Sequence, residues 1–528
     1  MGRARGQSRP LAARGARGHG AHATHGAYAT QHVRPESAPL GNTLDDARAG
    51  LARVGPRLRD WAAHWWPVGL ELTIFAVVLV AMRIAYATLY HAHEPPGDVM
   101  EYQRYAIQFW LDHPRFTHLP VEYPPLAILP FTLTVVPPLR NPETVFVWWM
   151  IFFTLVGYLW MRLRSTRARA ITYAVYLVIG TAGTLLLRFD LFPALATLLA
   201  LQAAERRRFT RAYVWIAVGI LLKLYPAFFV PLVAVAQWRD LRARARLAAP
   251  ELERASAHAS AAGPEHAGTG IAAWAGRWRD AKPSLAVLAT RLTGADARVV
   301  GRGIGTCAGI TVLGFGLAAI LSPSGVISGF VYAGMRPLQI ESTPATLQWL
   351  GTFVGFPALP VHTYKSLNLV GPLTAPLKSL SMLGLVIGCA AVYWRQLVGR
   401  LNIGQAFVAT MCVVIVANKI FSPQYLIWLL PLVAYVAGFD LIWVAIGALT
   451  TFIFPQLYFS YAEILDVPHD PRFLPAVALR NTLLLFVTVR AIMGSPTASS
   501  APGRSDMPPA NGVRRSKPAP EAAGAARA

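Results

Sequence analysis

Residues 205–247 read ERRRFTR, AYVWIAVGILL, KLYP, AFFVPLVAVAQ and WRDLRARARL in succession. A basic run stands at each end of an apolar stretch, and the cytoplasmic flanks of membrane spans carry the excess of Lys and Arg. A single crossing would leave one basic flank on the wrong side. Two short helices meeting at Lys223, Leu224, Tyr225 and Pro226 keep both flanks inside. Pro226 supplies the break, because proline removes a helical hydrogen bond and clashes with the preceding turn. The chain therefore turns back at Lys223, across the membrane from its basic runs.

The same logic extends outward. The chain has 528 residues, 54% hydrophobic and only 14% charged, which excludes a disordered chain and an ordinary soluble enzyme. Apolar runs long enough to cross a bilayer recur from residue 67 to residue 493, so the expected fold is all-α, a polytopic transmembrane helical bundle. The net charge of +23 sits in the tails and between the apolar runs. That is the positive-inside pattern, and it speaks against nucleic acid as a partner. The three cysteines, Cys307, Cys389 and Cys412, lie inside apolar runs without CxxC spacing, so neither a disulfide framework nor a metal site is expected.

Residues 1–60, rich in Gly, Ala, Arg and His, read as a disordered basic cytoplasmic tail, and 494–528 as another. Between them lies a membrane-embedded domain, 67–493, with a disordered cytoplasmic insertion at 239–295. Spans are expected at 67–90, 143–161, 170–187, 190–204, the two halves of 212–238, 303–321, 374–394, 404–418, 423–437, 441–461 and 473–492. This gives about twelve crossings with both termini inside. Residues 124–138, PPLAILPFTLTVVPP, are short and proline-rich. Reading them as a crossing would put RLRSTRARAR on the outer side, so they read as a re-entrant or surface segment. Residues 322–372 read as an outer loop.

The loop after the first span, EPPGDVMEYQRYAIQFWLDHPRFTHLPVEYPPL at 94–126, concentrates acids in a chain that has few. Asp98 follows a Pro-Pro-Gly break and opens a surface helix expected at about 98–112. Its apolar positions Tyr102, Tyr105, Ile107, Phe109 and Trp110 suit a helix lying in the interface. Asp98 reads as a helix N-cap or as a general base that takes a proton from a hydroxyl nucleophile. The topology places Glu101, Glu122, Arg188, Asp190, Lys223, Tyr225, Arg336, Gln339, Glu341, Lys419, Ser422 and Gln424 on the outer side with it. Ions in the bilayer core cost about 2.5–3.5 kcal/mol each, so a shared hydrated cavity is expected. Arg188 and Asp190 either bridge each other or contact substrate. Lys223 and Lys419, each between apolar runs, suit a phosphate. Tyr123 reads as an interfacial anchor. Asp466, His469 and Asp470 read as an acidic turn rather than a metal site.

Six pieces in this order resemble the GT-C glycosyltransferases: the loop carboxylate Asp98, EYPPL, LLLRFDLFPAL, GILLKLYPAFFVPL, RPLQIESTPATL and KIFSPQYLIWLLPL. The likeness runs through about residues 67–490. It is nearest to glycosyltransferase family 87, which includes polyprenyl-phosphate-mannose-dependent α-mannosyltransferases of actinobacteria. The resemblance implies an inverting transferase of the plasma membrane, with its active site facing outward and Asp98 as base. It implies a polyprenyl-phosphate sugar donor, a glycolipid or glycan acceptor, and no cofactor or metal. Some members place a histidine in the donor pocket; here His362 and His469 are the candidates, and neither lies in a recognisable motif. A transporter or flippase is the rival reading, since broken helices and buried charges occur there too.

Overall fold

The computed structural model describes residues 40–90, 97–120, 122–261, 285–323, 326, 327, 331 and 334–494. The chain divides into two units, Met1–Pro67 and Val68–Ala528. Of the first, the described part is the start of helix α1 (Leu40–Tyr90), so the tail expected to be disordered is helical from Leu40. Its earlier part, and the tail beyond residue 494, lie outside the described residues. All that follows concerns the second unit.

The second unit is helical. After α1 come α2 (Asp98–Trp110), α3 (Ile128–Thr132), α4 (Pro142–Arg164), α5 (Arg167–Gly180), α6 (Leu191–Glu205), α7 (Phe209–Leu222) and α8 (Val230–Ala261). The second half holds α9 (Leu285–Leu321), α10 (Thr343–Leu350), α11 (Thr374–Leu397), α12 (Ile403–Val416), α13 (Tyr425–Val436), α14 (Leu441–Thr451) and α15 (Phe473–Met493). Polar side chains start several of them. Asn141 caps α4, Ser342 caps α10, Asp440 caps α14, and Asn402 with Gln405 forms a capping box on α12.

Six helices among the described residues are long and apolar enough to cross a membrane: Trp65–Tyr90, Pro142–Arg164, Asp296–Leu321, Thr374–Leu397, Leu441–Ser460 and Phe473–Met493. The protein is thus a membrane-embedded helical bundle, but the expected twelve crossings are not found. Helices α6, α7, α12 and α13 are apolar yet only 12–15 residues long. At 1.5 Å per residue such helices reach about 18–23 Å, short of a hydrocarbon core of roughly 30 Å. They are also the most completely buried, α12 on almost every side. They form the interior of the bundle, which long helices such as α1, α9 and α11 surround with largely exposed apolar faces. Where α5 meets α14, Gly180 and Gly447 let the backbones nearly touch; a Cβ on Gly447 would stand 2.9 Å from Gly180 Cα.

The expected break at Lys223–Pro226 is present: α7 ends at Leu222, a 3₁₀ turn covers Tyr225–Phe229, and α8 follows. The insertion at 239–295 is helical at both ends, through Ala261 and again from Leu285, with 262–284 outside the described residues. Its Ala, Leu and Arg residues are strong helix formers, which composition alone disguised as a linker. Residues 124–138 do not cross: Pro125–Ala127 is a 3₁₀ turn and α3 has five residues.

Helix α2 forms where expected but faces inward. Val99, Tyr102, Tyr105, Ala106 and Phe109 make a stripe at helical spacing, and all five are buried in the core. Tyr102 stacks on Phe131 of α3 with ring centroids 4.2 Å apart, and meets Phe146 and Phe189 edge-on or tilted at 5.7 Å. These rings pin α2 to α3, α4 and the junction before α6, each pair adding about 0.5–1.5 kcal/mol beyond its burial.

The outer loop expected at 322–372 contains an unexpected three-stranded antiparallel sheet, β1 (Leu338–Gln339), β2 (Leu359–Thr363) and β3 (Ser366–Val370), in the order β1-β3-β2. Thr363 pairs with Ser366, so Tyr364 and Lys365 alone form the hairpin turn. Both are left-handed, with φ of 54° and 52°. L-residues there cost roughly 1–2 kcal/mol each.

Candidate functional site

Four chain breaks converge on one place: Gly97 before α2, Arg188–Asp190 before α6, Lys223–Tyr225 after α7, and Asn418–Gln424 between α12 and α13. Here lie two adjoining cavities of about 250 and 360 Å³, together within the range of roughly 300–1,000 Å³ typical of small-molecule sites. The smaller is polar. Asp98, Glu101 and Glu122 line it with Arg188, Arg336 and Lys365, so its formal charges balance. The larger is mostly apolar, with Leu119, Tyr225, Phe228, Phe315, Val414 and Trp428 in its wall and Lys223 as a cation. Glu122, Tyr123, Arg336, Ile420, Gln424 and Tyr425 line both and form the partition.

The aromatic cluster sets the polar wall. Tyr102 lies one helical turn after Asp98, and Phe189 is next to Arg188, so the contact of the two rings carries the carboxylate to the guanidinium. Asp98 and Arg188 form an ion pair; Asp98 is the more open, with 39% of its side chain exposed. Asp98 is the first helical residue rather than the cap, which is Gly97. Its negative charge still suits the positive end of the helix.

The other acids take partners from distant parts of the chain. Glu101 pairs with Arg104 and lies 3.2 Å from Lys365 Nζ, while Glu122 lies 3.4 Å from the same ammonium. Burial alone would lower the Lys365 pKa, but Glu122 and Glu101 outweigh it and hold the ammonium above its ordinary range. Arg336 donates to Ser366 Oγ at 2.9 Å, and Gln424 accepts from Ser422 at 2.6 Å.

Arg188 and Asp190 take partners on other elements. Asp190 is buried and lines neither cavity; its Oδ1 accepts from Lys223 Nζ and from Trp428 Nε1, both at 2.6 Å. The turn before α6 lets them part: Arg188 meets Asp98 of α2, while Asp190 meets Lys223 after α7 and Trp428 of α13. Lys223 therefore has an acid beside it. Its ammonium also lies 4.8 Å from the Trp428 ring centroid and 5.0 Å from that of Phe189. Tyr225 stacks on Trp428 at 4.5 Å, and its hydroxyl accepts from Thr197.

Two more expected site residues, like Asp190, line neither cavity. Glu341 is buried against Arg480 of α15, Oε2 to Nη1 2.6 Å, and also accepts from Tyr458. It lines neither cavity and ties the sheet region to α15. Lys419 lines neither cavity either; it donates to the carbonyls of Gly334 at 2.8 Å and Arg336 at 3.1 Å. Burial first, then Lys378 and Arg336, bring its pKa down to about 8. Gln339 does reach the polar cavity. His362 lies exposed on β2 and His469 in a short 3₁₀ turn, and neither lines either of these two cavities.

Tyr123, Tyr364, Lys365, Tyr425 and Trp428 line the site without having been expected there. Tyr123, read as an interfacial anchor, instead stands in the partition. For Tyr364 and Lys365 the sequence held one signal, the alternation of LPVHT and SLNLV about two residues. No group of three or more His, Cys, Asp or Glu residues suited to a metal ion occurs among the described residues. A scan of the chain against protein-family models finds no match, and a search of curated proteins finds none.

Proposed function

We propose that this chain is an integral-membrane glycosyltransferase that moves a hexose from a polyprenyl-phosphate donor to a hydroxyl of a glycolipid or glycan acceptor. The resemblance to family 87 points to mannose. One observation carries the reading: a polar cavity holding Asp98 shares a wall with an apolar cavity holding Lys223. A lipid-linked sugar phosphate needs those two environments side by side, an apolar one for the chain and a polar one for the sugar.

Arg336, in the shared wall, and Lys223 supply positive charge where the phosphate would lie. The acceptor oxygen attacks the anomeric carbon as the bond from that carbon to the phosphate oxygen breaks. The electron pair leaves with the polyprenyl phosphate, and the acceptor proton passes to the Asp98 carboxylate. A positioned base of this kind contributes about 10²–10⁴-fold, with orientation and charge stabilisation supplying the rest. The site opens on the outer face of the plasma membrane, with both termini cytoplasmic.

The test uses purified protein, a labelled polyprenyl-phosphate mannose and a lipid-glycan extract. Wild type is expected to transfer the label, and folded Asp98→Asn to lose at least about a hundredfold of that rate. Equal rates would remove Asp98 as base. No transfer by either protein, together with uptake of the labelled lipid into vesicles, would replace the transferase reading with a transporter.

A further inference from the structure

We propose that the tip of the β2–β3 hairpin, Tyr364 and Lys365, is the recognition element for the acceptor and binds a pyranose ring beside Asp98. The word acceptor rests on the transferase reading; the carbohydrate site itself does not. Tyr364, Lys365 and Ser366 line the polar cavity with Asp98 and Glu101, and none of the three lines the apolar cavity. The hairpin thus lies on the side of the base, with the partition between it and the space suited to a lipid chain.

The turn itself points to a ligand. Two-residue hairpin turns with both central residues left-handed favour Asn-Gly, because bulky side chains resist that conformation. Here Tyr and Lys occupy both positions at φ of 54° and 52°. The hairpin would close more easily without these side chains, so what they contribute lies where they point, in the cavity.

Their chemistry suits a polyol. Lys365 Nζ stands between Glu101 and Glu122, at 3.2 and 3.4 Å, and so alternates acceptor, donor, acceptor along one wall. Neighbouring sugar hydroxyls each donate and accept, and match that alternation. Tyr364 adds a flat apolar face with a polar tip, suited to the C–H face of a pyranose. An anion fits less well, since it would meet Glu101 and Glu122.

Saturation-transfer NMR with methyl α-mannobioside at millimolar concentration tests this on the full-length protein in detergent. Wild type is expected to saturate the probe's ring protons. The double variant Tyr364→Asn/Lys365→Gly, built on the favoured turn, is expected to melt no lower than wild type and to lose about fivefold or more of the signal. Lys365→Met, which keeps the strained turn, is expected to lose part of it. Equal saturation in the double variant, or none in wild type, overturns the proposal, and full binding by Lys365→Met overturns the role of the ammonium. Binding of the probe with no sugar transferred to it once polyprenyl-phosphate mannose is added would count against the transferase reading and leave the hairpin site standing.

Discussion

Burial, with Lys378 and Arg336, brings the Lys419 pKa down to about 8 while its ammonium holds two carbonyls, one of which belongs to Arg336 in the partition. Raising the pH through about 8 removes its charge and weakens the tether on the 334–336 segment. Transfer activity is therefore expected to fall on the alkaline side near pH 8. Lys419→Arg stays charged and should carry that limb upward, whereas Lys419→Gln should be slow throughout. A pH–rate profile measures this, and a limb unmoved in Lys419→Arg would remove Lys419 from it. Stability has the opposite sign. The folded pKa lies below the ordinary lysine value of 10.5, so between about 8 and 10.5 the unfolded chain binds more protons and stability rises with pH. None of this was legible in the sequence, where Lys419 read as a phosphate ligand because it stood alone between apolar runs. Its partners are carbonyls 83 and 85 residues away. Asp190 was similarly hidden from Lys223, and Glu341 from Arg480, because each acid pairs across the fold rather than along it.

At the scale of the element, the hub is a helix of only five residues. Phe131 of α3 is fully buried, stacked on Tyr102 and edge-on to Phe189 and Tyr123 at 5.1 and 5.2 Å. Replacing it by Ala opens a cavity among rings that also set Asp98 against Arg188. Phe131→Ala is expected to cost about 3–5 kcal/mol, read as detergent-solubilised unfolding, and to lower kcat as the base loses its position. Phe131→Leu should recover most of the stability. Full activity in a destabilised Phe131→Ala would separate the cluster from the site. Helices α2 and α7 were readable from their apolar spacing and from the break at Pro226. The inward face of α2 was not, because buried rings and interfacial rings obey the same periodicity. Strands β2 and β3 escaped because five apolar or polar residues in alternation look like loop in so hydrophobic a chain, and Tyr-Lys is not a turn signature.

Across the second unit, contacts between helices sort by end. Glu71 with Arg162 and Arg167, Glu205 with Tyr435, Arg239 with Gln396 and Arg395 with Met493 tie together the helix ends remote from the cavities. Arg206, Arg207, Arg208 and Arg400 are exposed along the same ends. The cavity ends are tied instead by Asp98 with Arg188, Lys223 with Asp190 and Arg336 with Ser366. Exposed arginines thus gather opposite the site, and by the positive-inside rule this supports the proposed outward-facing site. This division of charge does not depend on the number of crossings, about twelve expected and six long helices found among the described residues. It predicts thiol accessibility in intact cells. Cys307, Cys389 and Cys412 are buried, which keeps the background low. His362→Cys, on exposed β2, is expected to react with a membrane-impermeant maleimide added outside. Val398→Cys, beyond the end of α11 and 47% exposed, is expected to react only after the cells are opened. The reverse pattern would turn the cavities toward the cytoplasm, where a lipid-linked donor would have to be drawn from the inner leaflet. Labelling of both from outside would mean that the two positions share one face, and the division of ends by charge would fail with it.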